Sequence, residues 1–189
     1  MALDWFRPFC TQVALGPSAS RTTVTASMTA LPPQPSPRPV ADSKVEMTEI
    51  VFPNDGNPLG NAMGGRVMAW IDICAAVAAG RHARTPVVTA SADQIDFLNP
   101  VPVGAVVVLL ASVNFTGRTS MEVGVKVWQE DRLTGDRKHV ASAYLTFVSL
   151  DPVTKTPRPV APVVPKSADE KRRFEEGKQR RAHRLATRT

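Results

Sequence analysis

The sequence predicts an α+β domain in which one long helix lies across an antiparallel sheet. Two observations carry that prediction. A nearly unbroken apolar stretch with helical spacing runs from residue 66 to residue 79, and four extended segments follow it, joined by links of hairpin length. Sequential strands with short links pair antiparallel, and one helix packed on such a sheet gives an α+β layer.

The elements follow in order. Residues 1–43 are rich in Ser, Thr, Ala and Pro. That composition buries too little apolar surface to offset the entropy of ordering, so disorder is expected there. KVEMTEIVF (44–52) reads as a strand stopped by Pro53, and PNDGNPLGNAMGG (53–65) as a loop punctuated by Asn, Asp, Gly and Pro. A helix from about 65 to 79 is expected because Val67, Ile71, Cys74 and Ala78 recur at i, i+4, i+7 and i+11, with Gly80 as its cap. VVTASADQIDF (87–97), AVVVLLASVNF (105–115), MEVGVKVWQE (121–130) and RKHVASAYLTFVSL (137–150) read as strands, the last two flanking a DRLTGD hairpin turn. Met121, Val123, Val125 and Val127 share one side of their strand. Residues 152–165, with four prolines between Pro157 and Pro165, read as an extended linker. Residues 166–189 read as a basic C-terminal helix or tail. Ser167 and Glu170 have capping-box spacing, and Lys171–Glu175 and Glu176–Arg180 are i,i+4 pairs, so a solvated, dispensable helix is expected.

The net charge of +6 has one main source. Residues from Lys166 onward carry nine Lys or Arg and four Asp or Glu, whereas residues 44–165 carry eleven of each and are neutral. Two cysteines, Cys10 and Cys74, make no disulfide framework. The N-terminus, MALDWFRPFC, holds an acid at Asp4 and no sustained apolar run, which does not fit a secretory signal. No apolar run approaches the ~18–20 residues of a membrane span. A soluble, cytoplasmic protein in a reducing compartment is expected. The patterned block, 44–151, is small enough to gain from oligomerisation.

Asp72 is the informative residue. Only Arg66 and Asp72 carry charge on the helix, which is otherwise apolar nearly all round and therefore needs a cover besides the sheet. A second copy of the chain supplies that cover most simply. A carboxylate in such a seam costs several kcal/mol unless it is hydrogen-bonded or paired. It is either a structural residue that fixes dimer register or a desolvated base or nucleophile. Gly64 and Gly65 open the helix. They serve close helix–sheet packing, or they bare backbone N–H groups for an anion such as an oxyanion. Asn61 stands just upstream with an amide that donates and accepts. Asp72 lies seven residues past Gly65, about 10 Å along the axis, so one chain cannot easily bring both to one carbonyl. Two antiparallel copies about a two-fold axis can.

The blocks PNDGNPLGNAMGGRVMAWID, VVTASADQIDFLNPVPVG, GRTSMEVGVKVW and ASAYLTFVSLD resemble, in order, those of the hotdog-fold acyl-CoA thioesterases of the brain and cytosolic hydrolase type and their single-domain bacterial relatives. The likeness covers about residues 44–151. It implies a sheet wrapped around a central helix, a homodimer sharing one continuous sheet, assembly as a trimer of dimers, and hydrolysis of an acyl-CoA at the dimer interface. It further implies that Asp72 is the base or nucleophile, that Asn61 of the partner copy positions the water or thioester, and that the N–H of Gly65, with Gly64, holds the oxyanion. Coenzyme A enters as part of the substrate, with no separate cofactor. Its phosphates are expected at Arg118, Thr119 and Ser120, and its pantetheine arm along Val88, Thr89 and Ala90. Arg81, His82 and Arg84 are further phosphate candidates or answer the helix dipole. An apolar groove of Met63, Met68 and Trp70 suggests a fatty acyl group.

Other readings compete. A non-catalytic acyl-CoA sensor of the same fold is the alternative function, and residues 1–43 lack the helix-turn-helix pattern such sensors add. Nucleic-acid binding by the tail is disfavoured, because Phe174 is its single aromatic residue. Dehydratases of the fold use a histidine near the helix, and the expected helix contains none. The three histidines lack metal-ligand spacing, and no nucleophile elbow is present, so no metal and no serine triad is expected.

Overall fold

The computed structural model describes residues 33–187. They form β1 (Arg38–Pro39), β2 (Val45–Ile50), α1 (Gly64–Ala83), β3 (Val87–Phe97), β4 (Val106–Thr116), β5 (Ser120–Glu130), β6 (Arg137–Ser149), β7 (Val163–Val164) and α2 (Ala168–Ala186). Five strands make one antiparallel sheet in the order β2-β4-β5-β6-β3. This is the expected α+β architecture, with one helix against a five-stranded sheet.

The core follows from two periodicities meeting. Val67, Ile71, Cys74 and Ala78 of α1 are all buried, as their spacing requires. Against them stand the alternate residues Met121, Val123, Val125 and Val127 of β5, with Ala143, Leu145 and Phe147 of β6. The β3 strand pairs only with β6 and lies at the sheet edge, so one side of it is open among the described residues.

Four expectations need correction. The helix does not stop at Gly80. It continues to Ala83 and ends on Arg84 in the left-handed region (φ 57), whose N–H donates to Gly80 O. The extra turn persists because His82 and Ala83 are buried beneath the C-terminal Pro-rich segment. Disorder up to residue 43 fails from Arg38 onward: β1 pairs in parallel with β7, and Val40 and Ser43 are buried in a 3₁₀ turn. Residues 1–32 lie outside the described residues. The expected linker is packed as well, with Val160, Ala161 and Val163 buried over the end of α1.

The fourth correction concerns α2. Its Ser167–Glu170 capping box forms as expected. One face of it then docks on the sheet surface opposite α1. Phe174 meets Phe115, and the Arg180 guanidinium lies over the Tyr144 ring while binding Glu122 at 2.7 and 3.1 Å. Arg180 therefore turns away from the expected Glu176 pair, and Glu176 bonds Arg172 instead. Gly177 permits the close approach: a Cβ there would stand 2.9 Å from Glu122 Oε1 and 3.0 Å from Phe115 Cβ.

Candidate functional site

The loop before α1 is tied down from within. Asp55 is buried and accepts from Phe52 N at 3.1 Å and from Arg66 Nε at 2.8 Å, while its backbone carbonyl accepts from Met63 N. Asn57 Oδ1 accepts from Leu59 N at 2.9 Å and Asn61 N at 3.2 Å. Two donors on one atom identify it as the oxygen, so the bonds that hold the loop use the carbonyl end of the Asn57 amide. Asn61 lies beside it, its own amide donating at 3.4 Å to Leu59 O. Both asparagines and Gly64 border a cleft of about 390 Å³ that Phe97 and Val67 also line.

At the helix entry, Arg66 N is the first helical N–H to find a carbonyl, on Met63. The N–H groups of Gly64 and Gly65 point out of the helix start. A Cβ on Gly65 would meet nothing within 4 Å, and one on Gly64 would meet only Phe97 Cζ at 3.8 Å. Close helix–sheet packing within the protomer therefore does not explain the glycine pair, and the exposed N–H groups remain as its consequence.

Two turns on, Asp72 is half-buried on the side of α1 that the sheet leaves uncovered. Thr89 Oγ1 on β3 donates to its Oδ1 at 2.7 Å. Around the carboxylate, Met68, Ile73 and Val77 are exposed, and the open edge of β3 presents Val88 beside them. An apolar helix face next to an unpaired 11-residue strand edge is a surface that asks for a partner.

The other expected residues divide. Val88 and Ala90 flank Thr89 on exposed strand, as a substrate arm requires, whereas Thr89 itself is engaged with Asp72, a role its sequence context did not signal. Arg118, Thr119 and Ser120 lie in the β4–β5 turn, where Val160 N donates to Arg118 O and Ser149 N to Thr119 O, both at 2.9 Å. The Arg118 side chain is exposed. Arg81 donates to Lys44 O at 2.6 Å. His82 is fully buried, its Nε2 donating to Ala161 O at 2.8 Å. Burial holds its pKa below the usual value, with the nearby Arg38 adding to the effect against the Ala161 bond and Asp42. Although α1 thus contains a histidine, it stands ten residues past Asp72, about 15 Å along the axis, and serves the packed strap. Cys74 is no nucleophile either, since burial pushes its thiol up to about 11. Trp70 is 2% exposed and belongs to the core, so of the three residues expected to form an apolar groove only Met63 and Met68 reach the surface.

A profile of the Thioesterase superfamily matches residues 59–135. An uncharacterized acyl-CoA thioester hydrolase of Bacillus subtilis is 44% identical over 72% of this chain and 78% of its own length. The cytosolic acyl coenzyme A thioester hydrolase of Mus musculus is 38% identical over 77% of this chain, which spans 39% of that protein. Among solved structures, the acyl-CoA hydrolase of Staphylococcus aureus in complex with butyryl coenzyme A, coenzyme A and coenzyme A disulfide superposes with a TM-score of 0.77 at 38% identity, over 80% of this chain and 92% of that one. That enzyme is also known as single alanine variants at an asparagine, at an aspartate fifteen residues later and at a threonine seventeen residues after that. A hexameric acyl-CoA thioesterase matches with a TM-score of 0.77 at 40% identity, over 82% of this chain and 99% of that one.

Proposed function

The chain belongs to the Thioesterase superfamily, and from that premise we propose that it hydrolyses acyl-CoA thioesters to free acid and coenzyme A at a site shared between two copies of itself. The observation that carries this reading is Asp72, a carboxylate held by Thr89 on an uncovered apolar helix face beside an open strand edge.

In this mechanism Asp72 Oδ2 takes a proton from water as the water oxygen attacks the thioester carbon. The carbonyl oxygen gains negative charge at the N–H groups of Gly65 and Gly64. The intermediate collapses by breaking the C–S bond, and the proton held on Asp72 passes to the departing thiolate. Thr89 fixes the rotamer of Asp72 and leaves its second oxygen free for water. The helix start and Asp72 are too far apart along one helix to serve one carbonyl, so the oxyanion donors come from the second copy. Pairing of the β3 edges about a two-fold axis covers Met68, Ile73 and Val77 and sets Asp72 against the partner's helix entry.

The amide that positions the water is assigned to Asn57 rather than to its neighbour Asn61. Asn57, Asp72 and Thr89 stand fifteen and seventeen residues apart, the spacing of the three positions varied in the Staphylococcus aureus enzyme. Its Oδ1 is committed to the loop, which leaves the amide nitrogen as the donor. Assembly of dimers into a trimer of dimers belongs to the same reading, supported by the hexameric relative. So does a cytosolic location, supported by the cytosolic mouse relative. No helix among the described residues is long and apolar enough to cross a membrane.

The test is thiol release from a panel of acyl-CoAs. Wild type is expected to turn over, D72A and N57A to lose most of their rate, and N61A to keep most of it. Co-expressing D72A with N57A chains should restore activity, because a mixed dimer then owns one intact site. Full loss in N61A alone would return the amide role to Asn61. No recovery in mixed dimers would sink the shared site, and coenzyme A binding without any release would favour a sensor.

A further inference from the structure

We propose that Asp93 and Arg184 are positioning residues for turnover: their ion pair holds a double bulge in β3 and thereby seats Thr89 on Asp72. This rests on the acyl-CoA reading above and brings α2, an element outside the matched profile, into control of the rate.

The first observation is a break in alternation. Successive side chains of a strand point to opposite faces, so residues 89, 91 and 93 should share one face. They do not. Thr89 pairs with Phe147 of the core and donates to Asp72 on α1. Ser91 instead pairs with Thr146, which stands opposite Glu122 on the α2 side of the sheet. Two register shifts account for the change, one between Thr89 and Ser91 and one between Ala92 and Gln94. Each adds one unmatched residue, Ala90 in the first and Asp93 in the second, as a β-bulge does.

The second observation is that side chains fasten these bulges. Asp93 Oδ1 accepts from Ser91 Oγ at 3.1 Å. Its Oδ2 accepts from Thr146 Oγ1 at 3.3 Å and from the Arg184 guanidinium. The side chains of Asp93 and Arg184 are 13% and 15% exposed, so the pair is largely shut off from water. A bulge interrupts the backbone ladder, and β3 has no neighbour on its open side among the described residues. The Asp93 cluster supplies the tie that the ladder lacks there.

The third observation is what the two ends of the bulged segment hold. Thr89 holds Asp72, and Phe97 Cζ stands 3.8 Å from where a Cβ on Gly64 would be. Both ends of the segment thus meet α1 at the candidate site. From Thr89 to Phe97 the two bulges let β3 spend two more residues than β6 spends from Phe147 to Ala141, which draws the ends together by about 7 Å. A slip of one residue at either bulge would turn Thr89 or Phe97 to the wrong face. Arg184 bonds Asp93 on the α2 side while Thr89 faces α1, so its effect on Asp72 runs through the strand.

The experiment is a double-mutant cycle on kcat, measured by thiol release from one acyl-CoA. R184Q is expected to lower kcat about fivefold with KM within about twofold, and R184K to recover part of the loss. In a T89A background, where no hydroxyl remains to be misplaced, R184Q should cost less than about twofold more. S91A removes one bond to Asp93 and leaves the ion pair. It should lower kcat about threefold and likewise lose its effect beside T89A, and it decides the matter if R184Q does not fold. An unchanged kcat overturns the proposal. So do losses that multiply in full with that of T89A, because a merely structural pair loosens the protein whatever residue stands at 89. If wild type releases no thiol from any acyl-CoA, the acyl-CoA reading fails first and the positioning role falls with it.

Discussion

Glu122 and Asp72 are two carboxylates on opposite sides of one sheet, and the protein treats them differently. Glu122 on β5 is 2% exposed, and its oxygens receive two bonds from Arg180 and one from Asn114 Nδ2 at 3.2 Å. Asp72 receives one bond from a neutral hydroxyl and has no cation beside it among the described residues. A carboxylate held by three bonds, two of them from a cation, holds elements together. One that is oriented by a single bond keeps lone pairs for a proton. On the proposed mechanism Glu122 is the structural acid and Asp72 the chemical one.

The largest effect that can break this comparison is on rate. D72N is expected to lower kcat about 10³-fold with the thermal unfolding midpoint unmoved. A variant that keeps its rate, or that unfolds, would make Asp72 a second Glu122. E122A should do the reverse, leaving Arg180 without its buried partner and costing about 3 kcal/mol of stability in denaturant titration, with the loss traced to undocking of α2. An E122A protein as stable as wild type would mean that α2 is the solvated tail the charge pattern suggested. T89A sharpens the Asp72 side: loss of one bond to a charged group is expected to slow turnover about tenfold or more with little change in stability, read as kcat beside the unfolding midpoint.

Smaller effects refine the other side. Gly177→Ala in an exposed helix would stabilise by about 1 kcal/mol. Here the new methyl group meets Glu122 Oε1 and Phe115, so a loss of about 1–2 kcal/mol is expected instead, and a gain would disprove the tight seating of α2. The smallest is a pH effect on the strap. His82 is held neutral by burial, below its ordinary value of 6.5. The unfolded chain therefore binds the extra proton first. Its contribution to stability is complete above 6.5 and is lost as pH falls from there through the depressed folded value. The gap in melting temperature between about pH 7.5 and pH 5.5 should narrow in H82Q, and an equal gap in both proteins would remove His82 as its cause.

Much of this was legible in the chain. The apolar residues of α1 and of β5 carry their own periods, so element type, order and buried face could be read to within a residue or two at most strand ends. Asp72 stood out because a charge breaks an apolar helix face, which is a local signal. The helix end was not legible, since Gly80 is a good cap by local chemistry and only burial of His82 under residues 160–163 carries the helix past it. Nor was the bond from Thr89 to Asp72: a threonine in a strand of alternating small residues does not announce a carboxylate partner until α1 lies across it. The Asx geometry that sets Asn57 apart from Asn61 is made by folding, so the proposed choice between the two amides could not be read in one turn-rich loop.

Spacing along the chain determined the helix, the strands, the sheet-facing stripe and the presence of an acid on the uncovered helix face. These depend on neighbours three to eleven residues apart, within the reach of backbone geometry alone. The tertiary structure decided which partner each polar group takes. Arg180 is 58 residues from Glu122 and Arg184 is 91 from Asp93. Residues so distant in sequence meet only once the sheet has set its register and buried the groups that must then find partners. That is why a run of charges that reads as a free tail is a docked helix.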